Sequence, residues 1–247
     1  MMSRIIAIVN HKGGVGKTTT TLNLGKALSL QGKKVLLIDI DPQANLSQSV
    51  GIDEPERSLY ESLCSNQHLP IIEIGTNFFI CPADLELSEA EIKLQSDVNG
   101  YFQLKKLLKN QSFDFVLIDC PPSLGVLTIN ALVAANELII VVQSEYLAVK
   151  GLQTIMRLTD RLKENLNPTL KVTGLLLTQL NNTVFRKSIA QTVRTVYEGN
   201  VLESSIRQNI ALGEASSQSK TIFDYSPDSH GAEDYMKLAI EILNIKF

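Results

Sequence analysis

The chain has 247 residues, 44% of them hydrophobic and 20% charged, which is enough for one sizeable α/β core. A formal net charge of −3 excludes a globally basic nucleic-acid binder, so any DNA contact must come from a local patch. Three scattered cysteines (Cys64, Cys81, Cys120) with no CxxC pair argue against a zinc site or a disulfide framework, and no run approaches the roughly 20 apolar residues of a membrane span, so a cytoplasmic protein with reduced thiols is expected.

The first element is an apolar strand over residues 4–10, followed by a glycine-rich turn and a helix over 17–31. Further strands are predicted at 34–40, 78–81, 113–119, 137–143, 171–180 and near 201–202. They are rich in Ile, Val and Leu with little polar alternation, as expected of strands covered on both faces. Helices are predicted at 101–108, 124–135, 147–165 and 184–197. Alternation of this kind implies an α/β fold with a mainly parallel, twisted sheet and helices on both faces. No linker or repeat interrupts it, so residues 1–247 read as a single domain. The first strand begins by Arg4, which leaves no room for a preceding helix-turn-helix module.

The turn after the first strand reads His11-Lys12-Gly13-Gly14-Val15-Gly16-Lys17-Thr18-Thr19, between a strand and a helix as a P-loop requires. Gly13, Gly14 and Gly16 let the backbone N–H groups curl toward phosphates, and the helix N-terminus adds its positive end. Lys17 is expected to reach the β- and γ-phosphates of ATP and Thr18 to ligate Mg²⁺. The second strand ends Asp39-Ile40-Asp41-Pro42-Gln43, where ligands of open parallel sheets sit. Alternate residues of a strand share a face, so both carboxylates can point into one site. The run Phe115-Val116-Leu117-Ile118-Asp119 has the form of a Walker B strand, with Asp119 supporting Mg²⁺ through water. Cys120 reads as a small packed residue, since nothing nearby in sequence looks like its base.

The first loop departs from GxxxxGK[ST]: His11 holds the first glycine position and a second lysine, Lys12, is present. KGGxGK[ST] resembles the deviant Walker A motif of ParA/MinD-type P-loop ATPases. The resemblance implies that Lys12 reaches across a dimer interface to the partner's nucleotide. It also implies that Asp41 positions or activates the attacking water and that Asp39 lies near the metal. Asp39–Gln43 and Cys120-Pro121-Pro122-Ser123-Leu124-Gly125 are similar to the family's two switches, and prolines and glycine in the second let a γ-phosphate-sensing loop change path. Pro82–Leu87 and Gln143–Ala148 also match family segments. Asn181 follows the strand where the family reads adenine. The stretch Ile206–Ala215 resembles the P-R-N-x-x-L-x-E-A run, with Ser205 near a usual proline and Gly213 in place of a usual serine.

Between Asn181 and Lys220 stand Arg186, Lys187, Arg194, Arg207 and Lys220 against Glu198, Glu203 and Glu214; five positives less three negatives leave a local charge of +2. Charge alone reads as a solvated helix face. The family resemblance turns the patch into a non-specific DNA surface, doubled in an ATP-bound homodimer and released when a ParB-type centromere-binding protein stimulates hydrolysis. The nearest rival is a MinD-like membrane ATPase that positions division. It needs a basic amphipathic C-terminal helix, but here Glu233, Asp234 and Glu241 offset Lys237 and Lys246, so a packed final helix and no stable membrane association are expected. An iron–sulfur carrier would need paired cysteines, which are lacking.

Overall fold

The computed structural model describes residues 3–65, 67–143, 148–180, 197 and 199–245. In chain order these form β1 (Arg4–Val9), α1 (Lys17–Leu30), β2 (Val35–Asp39), α2 (Asn45–Gln48), α3 (Leu59–Ser65), β3 (Ile72–Gly75), β4 (Phe78–Cys81) and α4 (Leu87–Ser96). A 3-10 turn (Gly100–Phe102) then leads into α5 (Gln103–Leu108), β5 (Phe115–Asp119), α6 (Val126–Ala134), β6 (Glu137–Gln143), α7 (Ala148–Asn165), β7 (Lys171–Leu180) and β8 (Val201–Arg207). Last come α8 (Ile210–Ser217), α9 (Ile222–Tyr225) and α10 (His230–Asn244).

The strands form one sheet in the order β3-β4-β2-β5-β1-β6-β7-β8, parallel except for the β3–β4 pair. Every residue of β2 and β5 is buried, because helices cover both faces. On one face α1 and α10 pack through Leu24, Leu28, Leu238 and Ile242, and on the other α4 to α7 supply Leu94, Leu104, Leu127 and Ile155. At Gly25 of α1 a Cβ would lie 2.6 Å from Leu37 Cδ2 and 3.0 Å from Phe78 Cε2, so this helix seats against the sheet only through a bare backbone.

Strands 78–81, 137–143 and 171–180 have the predicted bounds. The strand expected near 201–202 runs on to Arg207. As an outer strand it is covered by α10, whose Glu241 carboxylate accepts from the amides of Glu203 and Ser204, both at 2.8 Å. The helix expected over 184–197 lies outside the described residues, apart from Tyr197. The final helix is packed as expected, with Tyr235, Leu238, Ala239 and Ile242 buried. Among the described residues no helix is long and apolar enough to cross a membrane.

Candidate functional site

The turn between β1 and α1 curls because Gly14 (φ 73°) and Gly16 (φ 96°) adopt left-handed backbone conformations that side chains disfavour. Val15 anchors the curl in the core, 1% exposed. Lys17 is buried with its ammonium folded over the loop, donating to the Lys12 carbonyl at 3.2 Å. Thr18 Oγ1 donates to Asp119 Oδ2 at 2.7 Å, and Thr21 Oγ1 reaches Asp119 Oδ1 at 3.3 Å. The carboxylate at the end of β5 thus grips the first turn of α1. Lys12 stands exposed on the rim, its amide held by Asn10 Oδ1 at 2.9 Å. Above this platform opens a cavity of about 870 Å³, lined by Gly13, Gly14, Gly16 to Thr19, Asp41 and Pro122 among others.

The acidic residues divide into two kinds. Asp41 lines the cavity and accepts from the Gln43 amide at 3.0 Å, which holds the chain in a tight turn. Asp39 does not line it. Its Oδ2 accepts from the Ser47 amide and hydroxyl (2.9 and 2.8 Å), and Oδ1 accepts from the Asp41 amide at 3.2 Å. The expectation that both carboxylates point into one site is therefore corrected. The chain turns after β2, so Asp39 braces the loop that presents Asp41. Asp39 and Asp119 pair in register across β2 and β5. Burial lifts both above the ordinary carboxylate range; at Asp119 the neighbouring Asp39 adds to the rise, while the Thr18 hydrogen bond and Lys17 oppose it.

Among the described residues no three His, Cys, Asp or Glu side chains could enclose an ion by themselves. Thr18 lines the cavity, and its hydroxyl is bound to the buried Asp119 carboxylate behind it; this pair suits a hard divalent cation that keeps phosphate and water as its other ligands. Cys120 is 1% exposed and burial pushes its thiol far up, consistent with a packed rather than a reactive residue.

The sequence reading missed the residues that hold the loop from the side. Thr178 Oγ1 donates to the Val15 carbonyl at 2.7 Å, and Gln179 Nε2 to the Gly14 carbonyl at 2.8 Å. Gln143 Nε2 in turn donates to Gln179 Oε1 at 2.6 Å. The signal was a pair of polar residues closing otherwise apolar strands. Beyond them lies a second cavity of about 270 Å³, bounded by Gly16, Thr19, Gln179, Gln208, Leu212 and Tyr235. Asn181 lies outside the described residues, but Leu180 just before it accepts from the Gln208 amide at 2.7 Å at this cavity's edge. A Cβ at Gly213 would meet nothing within 4 Å, so no steric demand explains glycine there.

Of the basic residues expected on a DNA face, Arg186, Lys187 and Arg194 lie outside the described residues. Lys220 is exposed just before α9. Arg207 does not fit the expected patch. Its guanidinium is bound by Asp234 (Nε–Oδ2 2.9 Å) and by Glu233 (2.5 Å). Lys237 and Arg207 together pull Glu233 down to about 2. The charge count along the chain omitted two carboxylates that the fold brings in from 26 and 27 residues away.

Comparison with known proteins accords with this geometry. Residues 3–172 match a family model described as an AAA domain. The chain is 41% identical over 249 residues to the sporulation initiation inhibitor protein Soj of Bacillus subtilis, and 39% identical over 248 residues to the chromosome-partitioning ATPase Soj of Treponema pallidum; each alignment covers 98% of both chains. Among solved structures it resembles cobyrinic acid a,c-diamide synthase from Mycobacterium smegmatis with a bound ATP analogue and magnesium. That likeness has a TM-score of 0.87 and 34% identity, covering 98% of this chain and 95% of the other.

Proposed function

The chain belongs to the Soj/ParA family of chromosome-partitioning ATPases, and from that premise we propose that its single domain hydrolyses Mg-ATP to switch a DNA-binding homodimer on and off. One observation carries the reading. A glycine loop with a buried lysine, a threonine hydroxyl already seated on the β5 carboxylate and a second carboxylate on the cavity wall converge on one space.

In this reading the loop amides from Gly13 to Thr19 and the Lys17 ammonium cradle the phosphates. Lys17 leaves the Lys12 carbonyl when a γ-phosphate replaces it as the better acceptor. Thr18 and, through water, Asp119 would hold Mg²⁺, which supplies charge neutralisation on the phosphates. Asp39 acts indirectly, by fixing the turn that carries Asp41. Asp41 holds the attacking water and takes its proton. The base lies in the smaller cavity beside Gln208, with Asn181 as its hydrogen-bonding partner. Lys12 extends from the rim to the nucleotide of a second copy, so that ATP joins two protomers. Arg186, Lys187, Arg194 and Lys220 then contact DNA phosphates, while Arg207 orders its own loop. Two weak surfaces become one multivalent surface, which makes DNA binding conditional on ATP. A ParB-type protein triggers hydrolysis and release at the nucleoid.

The test is a DNA gel-shift series without nucleotide, with ADP and with ATP, at two salt concentrations. Retardation restricted to ATP and fading with salt is the expected outcome; equal retardation in all three states would refute a nucleotide-gated clamp. The name of the Mycobacterium smegmatis relative favours a second reading, in which the γ-phosphate activates a small molecule. ATP turnover that rises with DNA and a ParB-type protein, and needs no small acceptor, separates the two.

A further inference from the structure

At the amino ends of the strands, opposite the phosphate site, lies a second cavity of about 870 Å³ between α5, α6 and the segments entering β1 and β7. Its volume falls in the range of small-molecule sites. Part of the wall is apolar, with Leu108, Val133 and Ala134 buried, and the uncharged polar side chains of Asn136 and Asn167 also line it. Among the described residues its ionisable lining side chains are three lysines, Lys105, Lys106 and Lys109, with no Asp or Glu. All three are exposed, and none forms an ion pair among the described residues. Lys105 and Lys109 stand four positions apart, so one face of the helix end presents both. Ser3 also lines the cavity, and its buried Oγ has no hydrogen-bond partner, a deficit that a bound polar group would remove.

We propose that this cavity binds a small anionic amphiphile, with its apolar body between α5 and α6 and its oxyanion head among the three lysines. A partly apolar wall whose charged lining residues, among those described, are all cationic selects that class: a neutral molecule would leave the lysines unused, and a cationic one would be repelled. The site is independent of the nucleotide, since no lining residue is shared with either cavity at the carboxyl end.

The test is calorimetric titration of the full chain with decanoate, decyl phosphate and decanol below their aggregation limits. Both anions should bind one per chain, at least ~10-fold more tightly than decanol, and saturating Mg-ADP should leave that binding unchanged. The tighter of the two identifies the head group. Substituting Lys105→Gln, Lys106→Gln and Lys109→Gln together should reduce both anions to the decanol level without altering ADP affinity. Ala134→Phe, which fills the cavity, should weaken all three. Equal affinity for anions and alcohol, undiminished anion binding by the triple variant, or displacement by Mg-ADP would each overturn the proposal.

Discussion

At the carboxyl end of the sheet two buried carboxylates, Asp39 and Asp119, lie side by side in register. At the amino end the buried Glu137 is met by Arg4 at 2.6 Å and by the Thr173 hydroxyl at 3.0 Å. There Asn136 and Asn167 also close the backbone: Asn136 Oδ1 accepts from the Ile5 amide, and Asn167 Nδ2 donates to the carbonyls of Leu132 and Ala135. Among the described residues this end compensates its buried Glu137 internally and is built for stability. The other sets two carboxylates side by side, held by hydrogen bonds but with no ion pair among the described residues, while Lys17 rests on a carbonyl. A protein keeps so costly an arrangement where binding and chemistry need it.

The contrast predicts that carboxyl-end variants change chemistry and amino-end variants change stability. The largest effect belongs to Lys17→Ala, which should weaken ATP binding by roughly 100-fold or more, measured calorimetrically, because the loop loses its only buried cation. Asp41→Ala should bind ATP normally and lose turnover by about 10²- to 10³-fold in a phosphate-release assay, since only the attacking water is affected; unimpaired turnover would refute the role given to Asp41. Asn167→Ala should leave turnover per folded molecule intact yet cost about 1–3 kcal/mol, because two buried carbonyls lose their donor. The melting temperature should then fall by about 2–4 °C for each kcal/mol. A loss of turnover without a loss of stability would break the comparison.

The smallest effect is the most diagnostic. Burial raises Asp119 in the folded protein, so its contribution to stability is present below the ordinary carboxylate pKa and is lost as pH rises through the raised folded value. Nucleotide-free protein should therefore melt at lower temperature at about pH 8 than at about pH 6, and Mg-ATP should flatten that slope. Asp119→Asn should raise the nucleotide-free melting temperature, on the order of 1 kcal/mol of added stability. A fall instead would mean that its hydrogen bonds to Thr18 and Thr21 outweigh its desolvation.

Strands 137–143 and 171–180 were legible because both faces are buried and the apolar run has no reason to break. The β3 strand was not, because its residues are exposed or half-buried and carry no such run. The phosphate loop was legible because its chemistry is contiguous: glycines, lysine and threonine act on neighbours in the chain. Thr178 and Gln179 were missed because what they hold lies 163 and 165 residues away, and Gln143 because it acts through Gln179, 36 residues away.

Taken alone, the order of residues determined that this chain folds as a parallel α/β sheet with a phosphate loop after its first strand, since periodicity and local backbone geometry are encoded over a few residues. Tertiary structure alone decided that Asp39 braces a turn instead of facing the cavity, that Arg207 is neutralised by Glu233 and Asp234, and that three lysines rim a partly apolar cavity at the far end. Charge and hydrogen bonding act through space, and which groups come within reach is settled only when the strands are paired and the helices packed.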